Sequence, residues 1–519
     1  MKTDSNTIVI VGGGSAGGMA AYTLKKIFPH KTITIIESKT IPRVGVGEST
    51  LARINNWLAM LGIKDTDFMK ECDASYKLSI RFEDFYKKGD GGFHYPFGPA
   101  NFDGNQANYN DWVFKKYLYP KTHRSDFATC LYPQMALVNN NKLCDNENSN
   151  FPFNFIDCSA YHFDAAKFGL FLRDSICIPN GVKHIKEDIK SVETNEEGIK
   201  SLNNKYRADL FIDCTGFKSL LLSKTLKEPF ESLTDILPNN SAWATKIKYK
   251  NPEKEMVGYT NCHAIENGWC WEIPLWHRWG TGYVYSDKFV DNENALKEFK
   301  RHIKKRFPYA NPEELEYRNI KMRVGIHNRL WVKNVVAIGL AAAFTEPLES
   351  NGLFTTHEFL MKLVRTMQRE KISQWEKDNF TYQCKTVFEN LAEFVGLHYA
   401  LSIRDDTPYW KHCLNKQWEE KLINLKPSNS LGYLELIQGK AFQYSYQNNL
   451  AGIPPIAFGM DYYPTDIPTI KYFNHLNEQQ IKDRYIPVVD RLNKKSKIWN
   501  KTVKDMESFY QYHKRRFYK

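Results

Sequence analysis

The sequence predicts an α/β fold built on a Rossmann-like parallel sheet, and three observations lead to that prediction. An apolar run at 8–11 leads directly into a glycine cluster, as expected for a buried parallel strand and the turn that follows it. Residues 12–28 then have the apolar spacing of a helix, and residues 32–37 read as a second strand that ends in an acid. Together these segments form a βαβ unit, whose crossover is expected to be right-handed.

Two later segments, 208–213 and 334–339, repeat the buried-strand pattern and are predicted to join the same sheet. Because they lie far along the chain, the nucleotide-binding module is predicted to be discontinuous. It is expected to comprise residues 1–90, 155–230 and 325–365, with residues 91–154, 231–324 and 366–519 forming a substrate-binding and helical module. Much of the chain after 357 has helical spacing, and Pro454-Pro455 together with Pro464 to Pro468 predict a loop before the terminal helices.

Composition excludes several classes of protein. The chain has 519 residues and a formal net charge of +12, but its 59 acidic residues are interleaved with 71 basic ones. Without a basic stripe, this diffuse charge argues against nucleic-acid binding. The ten cysteines form no CxxC pair and no HExxH occurs, so the sequence predicts no metal site and reduced thiols in a cytoplasmic protein. No apolar run of about 18 residues occurs, so no membrane span is expected.

The glycine cluster fits the dinucleotide-binding pattern GxGxxG at Gly12, Gly14 and Gly17. The first glycine permits the tight turn, the second lets the backbone approach a pyrophosphate, and the third lets the helix pack on the strand. The helix N-terminus then offers N–H groups and a partial positive charge to phosphates. Glu37 ends the second strand, where a carboxylate can accept ribose hydroxyls. A glycine-rich turn with no ligand is the alternative.

The position of this pattern near residue 1, with the segment 213–216 downstream, favours FAD over NAD. No second complete GxGxxG follows, so no dedicated NAD(P)H domain is evident. We therefore expect a separate NAD(P)H-dependent flavin reductase to supply reduced flavin. We also expect a homo-oligomer.

Six further segments form recognisable motifs: Val44–Thr50, which is glycine-rich; Cys72–Lys77, which ends in a lysine; Gly268–Pro274, an intact WxWxIP pattern; Glu346–Gly352; Tyr161–Asp164; and Arg404–Pro408. Together they resemble the flavin-dependent halogenases of the tryptophan halogenase family. In that family the first segment contacts flavin, the second ends in an essential lysine, and the fourth corresponds to the EPLES(T)G loop. The resemblance reaches about residue 415. It implies an FAD-binding Rossmann-like fold of the GR2/PHBH type, with an inserted substrate region and a helical C-terminal part.

The resemblance implies a mechanism in which reduced FAD, O2 and a halide form hypohalous acid. Lys77 is expected to deliver that acid to an aromatic substrate, by hydrogen bonding or as a haloamine. Glu349 is expected to orient the oxidant or to deprotonate the cationic ring intermediate, with Glu346 in a lesser structural role. A wall is expected to keep the substrate from the flavin; its residues are Trp269, Trp271, Ile273 and Pro274, with Ser350 between the flavin and substrate sides.

The resemblance also assigns binding residues. Those expected to line the cofactor, besides the glycines and Glu37, are Ser15, Ala16, Lys39, Val46, Gly47, Glu48, Leu340 and Leu353. Backbone N–H groups of Asn351 and Gly352 are expected to hold the halide. Asn351 replaces the usual threonine, so we expect an altered halide preference, with bromide and iodide to be tested beside chloride.

Tyr95 and Phe97 are expected to line the substrate site, although Tyr95 stands where a histidine is usual. Residues 442–449 contain aromatics but no acid that could pair with an amino-acid ammonium. We therefore favour an indole-like or phenol-like substrate over free tryptophan, which remains the alternative. A flavin-dependent aromatic hydroxylase, and a flavin-binding or scaffold protein without activity, are the rival functions.

Overall fold

The computed structural model describes residues 6–41, 47–102, 109–145, 151–414, 452–462 and 472–519. The β-strands, in chain order, are β1 (Thr7–Val11), β2 (Thr32–Glu37), β3 (Glu48–Ser49), β4 (Ser75–Lys77), β5 (Ser79–Glu83), β6 (Gly92–Pro96), β7 (Lys142–Leu143), β8 (Ala160–Phe163), β9 (Lys183–Lys186), β10 (Val192–Asn195), β11 (Gly198–Leu202), β12 (Leu210–Asp213), β13 (Phe230–Ser232), β14 (Ser241–Lys248), β15 (Tyr259–Ile265), β16 (Gly268–Pro274), β17 (Arg278–Tyr285), β18 (Arg318–Lys321), β19 (Gly325–His327), β20 (Trp331–Val332), β21 (Val335–Ala337), β22 (Ala343–Phe344) and β23 (Glu507–Ser508).

The α-helices, in chain order, are α1 (Ser15–Ile27), α2 (Ile54–Leu61), α3 (Asp65–Phe68), α4 (Asn110–Leu118), α5 (Asp126–Leu131), α6 (Gln134–Asn139), α7 (Phe155–Cys158), α8 (Ala165–Phe171), α9 (Pro252–Glu255), α10 (Asn292–Arg306), α11 (Gly352–Met367), α12 (Gln374–Ala400), α13 (Pro408–Leu414), α14 (Ile453–Gly459), α15 (Glu478–Thr502) and α16 (Phe509–Phe517). Within the described ranges, no helix is both long enough and apolar enough to cross a membrane.

The chain forms two compact units. The first comprises residues 1–74, 162–246 and 316–392, and the second comprises residues 75–161, 247–315 and 393–519. These units divide the chain at other residues than the modules expected from the sequence, and segment 75–90, which was expected in the FAD-binding module, belongs to the second unit. The assignment of flavin binding to one module stays a prediction.

The first unit contains a six-stranded sheet in the order β20-β21-β12-β1-β2-β9. All neighbours are parallel except β20 and β21, which pair antiparallel. The four strand segments predicted from the sequence, near residues 8, 33, 209 and 335, are therefore adjacent in one sheet. Their central residues are buried, as continuous apolar parallel strands require. The predicted α/β Rossmann-like fold is confirmed.

The second unit contains five neighbouring strands in the order β17-β16-β15-β5-β6. Their pairings are antiparallel except that of β15 with β5, which is parallel. Every residue of β16, which carries the WxWxIP signature, is buried. Helices α13 to α16 provide the helical C-terminal part predicted from the sequence.

One local prediction is wrong. The proline pair at 454–455 was expected to mark a loop, but it lies in the first turn of α14. Proline is tolerated there because its missing N–H would have had no intrahelical acceptor and its fixed φ suits a helix. The sequence pattern did not distinguish a helix start from a loop. Pro464 to Pro468, expected in the same loop, lie outside the described residues.

Candidate active site

Of the three glycines in the GxGxxG pattern after β1, two are fixed by packing and one faces open space. Gly12 has a φ of 120°, and a Cβ placed on it would lie 2.2 Å from the carbonyl oxygen of Cys214. A Cβ on Gly17 would lie 1.9 Å from the carbonyl oxygen of Gly12. A Cβ on Gly14 would meet no atom within 4 Å. The turn thus leaves room beside Gly14, where a dinucleotide pyrophosphate would require close backbone approach.

Helix α1 begins directly after Gly14, so its first N–H groups, which lack intrahelical acceptors, belong to the same turn. The Ser15 hydroxyl donates a 2.8 Å hydrogen bond to the carbonyl of Ala165. Ala16 packs against Gly339, where an added Cβ would lie 2.8 Å from the Cβ of Ala16, and Leu340 follows in the same short helical turn. The expected cofactor residues at 15, 16 and 340 therefore surround one helix end.

Glu37 ends β2, as predicted, but it has side-chain partners that the sequence did not indicate. Arg173 Nη1 donates to its carboxylate at 2.7 Å, and His184 Nε2 lies 3.0 Å from the same oxygen. A ribose at this carboxylate would therefore bind beside a guanidinium. Lys39 is exposed, and its backbone N–H donates to Asp188 at 3.0 Å. Val46 lies outside the described residues.

The loop that carries Glu349 is buried and is hydrogen-bonded to neighbouring segments. Glu349 is the last residue of the short helical turn Pro347–Glu349, and its side chain is inaccessible to solvent. Asn239 donates to Glu346, which is also buried. The Ser350 hydroxyl donates to the hydroxyl of Ser49 at 3.1 Å. Glu346 is therefore held by an amide from outside the loop, and Glu349 is buried three residues later.

The backbone at Ser350 and Asn351 has the geometry of an anion nest. Ser350 is left-handed, with a φ of 58°, and Asn351 is right-handed, with a φ of −87°. This alternation turns successive N–H groups toward one point. Gly352 begins α11, so helix polarity adds to the same attraction. A Cβ on Gly352 would lie 3.2 Å from a carboxylate oxygen of Glu48, and Leu353, the next residue of α11, is buried.

The amide that distinguishes this loop is already bonded. The Asn351 side chain donates to the Thr345 hydroxyl and, at 3.3 Å, to the carbonyl of Glu346. Its influence on a bound halide would therefore act through the conformation of the loop.

Lys77 ends β4 in the second unit and is fully buried. Its ammonium nitrogen lies 4.9 Å from the ring centroid of Phe97, within cation–π distance. Tyr95 packs edge-on against Phe97, with 5.5 Å between the ring centroids, and is nearly buried. The hydroxyl of Ser75 donates to the carbonyl of Pro274 at 2.7 Å, which ties the lysine segment to the end of the WxWxIP strand. The unit thus brings the expected lysine, aromatic residues and signature strand together.

The apolar side chains of the signature alternate along β16. Trp269, Trp271 and Ile273 lie on one face, and the two indole rings are 6.4 Å apart at 62°. The Trp271 Nε1–H is buried and has no hydrogen-bond partner among the described atoms. Pro274 ends the strand, and its carbonyl accepts the Ser75 hydroxyl.

The opposite face of β16 carries Glu272, whose role the sequence pattern did not indicate. Arg306 Nε donates to both of its oxygens, at 2.9 and 3.0 Å, and Asn261 donates at 3.1 Å. Burial alone would raise the pKa of Glu272, but the His302 ring, whose Nε2 lies 3.5 Å from the carboxylate, and the charge of Arg306 lower that pKa to about 2. The signature strand is thus held by a buried charged network on the side away from its tryptophans.

The described residues contain no cluster of three or more His, Cys, Asp or Glu side chains suited to a metal ion. Segment 442–449, on which the substrate prediction depends, lies outside the described residues.

Comparison with known proteins identifies the family. The tryptophan halogenase family profile matches residues 7–446. The chain is 33% identical over 431 residues to tryptophan 6-halogenase ThaL of Streptomyces albogriseolus, covering 79% of each protein. It also resembles the apo structure of VirX1, with 36% identity, a TM-score of 0.86, and coverage of 99% of this chain and 100% of that one.

A second solved structure, tryptophan 6-halogenase SttH from Streptomyces toxytricini, has 29% identity and a TM-score of 0.80. It covers 98% of this chain and 99% of its own. The expected family resemblance is confirmed by a profile match over most of the chain. The chain belongs to the tryptophan halogenase family and is an FADH2-dependent halogenase, the oxidoreductase component of a two-component system.

Proposed function

We propose that this halogenase makes hypohalous acid at the first unit and that Lys77 delivers it to an electron-rich, indole-like or phenol-like substrate. The overall balance is FADH2 + O2 + X⁻ + H⁺ giving FAD + HOX + H2O, where X⁻ is the halide. Reduced FAD, when bound, supplies the two electrons that activate oxygen. The observation that carries the proposal is the buried Lys77 ammonium held over the ring of Phe97.

Lys77 has the chemistry for delivery in either of two ways. Its ammonium can donate a hydrogen bond to the oxygen of hypohalous acid, which makes the halogen more electrophilic. Its amine can instead take the halogen as a haloamine, with release of water. Burial favours both, because few water molecules compete for the oxidant.

In the first unit we assign cofactor binding to the turn at Gly12, Gly14 and Gly17, and halide binding to the N–H groups of Asn351 and Gly352. The open space beside Gly14 fits a pyrophosphate, and the alternating backbone at 350–351 fits a small anion. Glu349 is assigned to orient the oxidant and to accept the proton that the ring loses, since a buried carboxylate can stabilise a developing cation.

For the substrate we propose an indole or phenol without an amino-acid head group. The relatives ThaL and SttH are tryptophan halogenases, so free tryptophan is the main alternative. The absence of an acid in segment 442–449 favours a substrate without an amino-acid head group, because a buried ammonium needs a partner. Tight binding of free tryptophan in calorimetry would contradict the preference.

The test is turnover with a flavin reductase, NADH, bromide and a panel of indole, phenol and free tryptophan, read by the bromine isotope pattern. Replacement of Lys77 by Met keeps most of the side-chain volume and removes the charge, and Lys77→Ala removes both. We expect each to lower product formation by at least about 100-fold, in the range typical of acid–base groups, while FAD binding and oxidant formation persist.

A matched control is Lys31→Met. Lys31 is also buried, and its ammonium lies 5.5 Å from the ring centroid of Phe28 in the first unit. This variant should keep its product yield. Retained halogenation in both Lys77 variants would remove that lysine from the mechanism. An oxygenated product formed without bromide would instead favour the hydroxylase.

A further inference from the structure

The strand that carries Lys77 is hydrogen-bonded to a histidine side chain that is distant in sequence. The backbone N–H of Tyr76 donates to Nε2 of His513 at 2.9 Å, although 437 positions separate the two residues. His513 lies in α16 and is fully buried, and Tyr76 is almost fully buried. The backbone N–H of the residue that precedes Lys77 in β4 therefore donates to a side-chain acceptor.

The tautomer of His513 follows from its second contact. Its Nδ1 lies 2.7 Å from the carbonyl oxygen of Phe509, which can only accept, so Nδ1 carries the proton. Nε2 is then the unprotonated nitrogen, as acceptance from Tyr76 requires. Burial lowers the pKa of His513 to about 4, which keeps the ring neutral at ordinary pH.

The backbone is held on both sides of Lys77. The N–H of Leu78 donates to the carbonyl of Gly258 at 2.7 Å. The same helix reaches this contact as well, because a Cβ on Gly258 would lie 2.9 Å from the ring of Phe509. Helix α16 therefore supports the residue before Lys77 directly and the residue after it through Gly258.

Aromatic packing fixes the same junction. The Tyr76 ring lies 5.2 Å from the ring of His513, 5.9 Å from that of Phe517 and 4.7 Å from that of Phe155. Side chains alternate along a strand, so Tyr76 faces this cluster while Lys77 points to the opposite side, over Phe97. Rotation of the Tyr76 backbone would redirect the ammonium.

We propose that His513 is a positioning residue for halogen transfer: by accepting the Tyr76 N–H it fixes the direction of Lys77. This inference rests on the proposed role of Lys77. It predicts that loss of the acceptor lowers delivery of the halogen, without loss of oxidant formation or of substrate binding.

The test uses the full-length protein as wild type, His513→Leu and His513→Gln. Leucine removes the acceptor, whereas the glutamine amide oxygen reaches a position close to that of Nε2. The first readout is residue-resolved hydrogen exchange of the Tyr76 amide, which needs no activity. The second is bromination of indole, with kcat and KM measured separately and with released hypobromous acid trapped by a diffusible probe.

We expect His513→Leu to raise the rate of hydrogen exchange at the Tyr76 amide by about tenfold, which corresponds to the free energy of one lost hydrogen bond. Its kcat for bromoindole should fall by about tenfold or more as the lysine loses its direction, with KM and trapped oxidant unchanged. His513→Gln should restore both properties. Tyr512→Phe, on the same helix, removes a 2.8 Å bond to Asp145 but leaves His513 in place, and should behave as wild type.

Several outcomes overturn the inference. Rapid hydrogen exchange of the Tyr76 amide in the wild type would overturn it, and this result does not depend on whether His513→Leu folds. Equal losses in Tyr512→Phe would indicate general loosening of the helix. Fast exchange with full kcat in His513→Gln would separate the hydrogen bond from transfer. If wild type shows a protected amide but brominates nothing, the proposed function fails and the hydrogen bond stands.

Discussion

In the glycine turn after β1, two glycine-to-alanine substitutions distinguish a glycine required for packing from one required for ligand binding. In Gly17→Ala the new Cβ would lie 1.9 Å from the carbonyl oxygen of Gly12, whereas ordinary contact begins near 3.4 Å. The carbonyl belongs to the backbone of the turn, so relief needs a shift of the helix against the strand. In Gly14→Ala the same methyl group meets no protein atom within 4 Å.

The expected effects differ in kind. Overpacking of this degree costs roughly 3 kcal/mol, the upper end of typical values, so Gly17→Ala should destabilise the first unit strongly. At roughly 2–4 °C per kcal/mol for a unit of this size, its Tm should fall by about 6–12 °C. Gly14 has an extended backbone that alanine can adopt, and exchange of glycine for alanine at a helix N-cap costs only about 1 kcal/mol or less.

The assay combines thermal unfolding of the cofactor-free proteins with fluorescence titration of FAD. Gly14→Ala should keep its Tm within about 4 °C of the wild type, since about 1 kcal/mol corresponds to no more. Its methyl group would occupy the space of the pyrophosphate, so the Kd for FAD should rise at least about tenfold, which corresponds to 1.4 kcal/mol. Unchanged FAD affinity in Gly14→Ala, or an unchanged Tm in Gly17→Ala, would refute the division of roles.

Three further predictions concern the loop and the titration of buried groups. Glu349→Gln should lower turnover by about 100-fold because the proton acceptor is lost; an unaffected rate in steady-state assays would point to Glu346. Asn351→Thr releases the bonds that its amide makes within the loop, so the ratio of kcat/KM for bromide to that for chloride should change, as competition assays with mixed halides would reveal. Burial lowers the pKa of both His357 and His513 to about 4, so the unfolded chain binds more protons and stability should fall as pH decreases from 6.5 toward 4. Each histidine contributes up to about 1.4 kcal/mol per pH unit, measurable as Tm against pH; a flat profile would contradict this.

Local pattern predicted the parallel sheet of the first unit because each of its signals is contained in a few consecutive residues. The apolar runs, the glycine spacing and the acid that ends β2 need no distant information. Residues that complete these features come from elsewhere in the chain: Arg173 contacts Glu37 across 136 positions, and His513 contacts Tyr76 across 437. In the sequence His513 stands beside three basic residues, Lys514 to Arg516, and nothing there indicates its buried partner.

The WxWxIP signature illustrates the same limit within one strand. Its tryptophans were conspicuous, and their shared face follows from the two-residue period of a strand. Glu272, which follows the second tryptophan, is also buried, but its partners on β15 and α10 are set by strand order and helix packing. A carboxylate in a strand that is otherwise apolar does indicate that partners exist elsewhere in the chain, because a buried carboxylate needs a cation or several hydrogen-bond donors.

The contacts around β4 also explain how a buried lysine can be held in one direction. A lysine side chain loses up to about 2 kcal/mol of rotamer freedom when it is ordered, and burial of its ammonium adds a desolvation cost. The Phe97 ring offsets part of this cost. Rotation of the backbone would turn the ammonium away from its buried position. The hydrogen bonds at the residues before and after Lys77 restrict that rotation, so they hold the side chain in place as well as the strand.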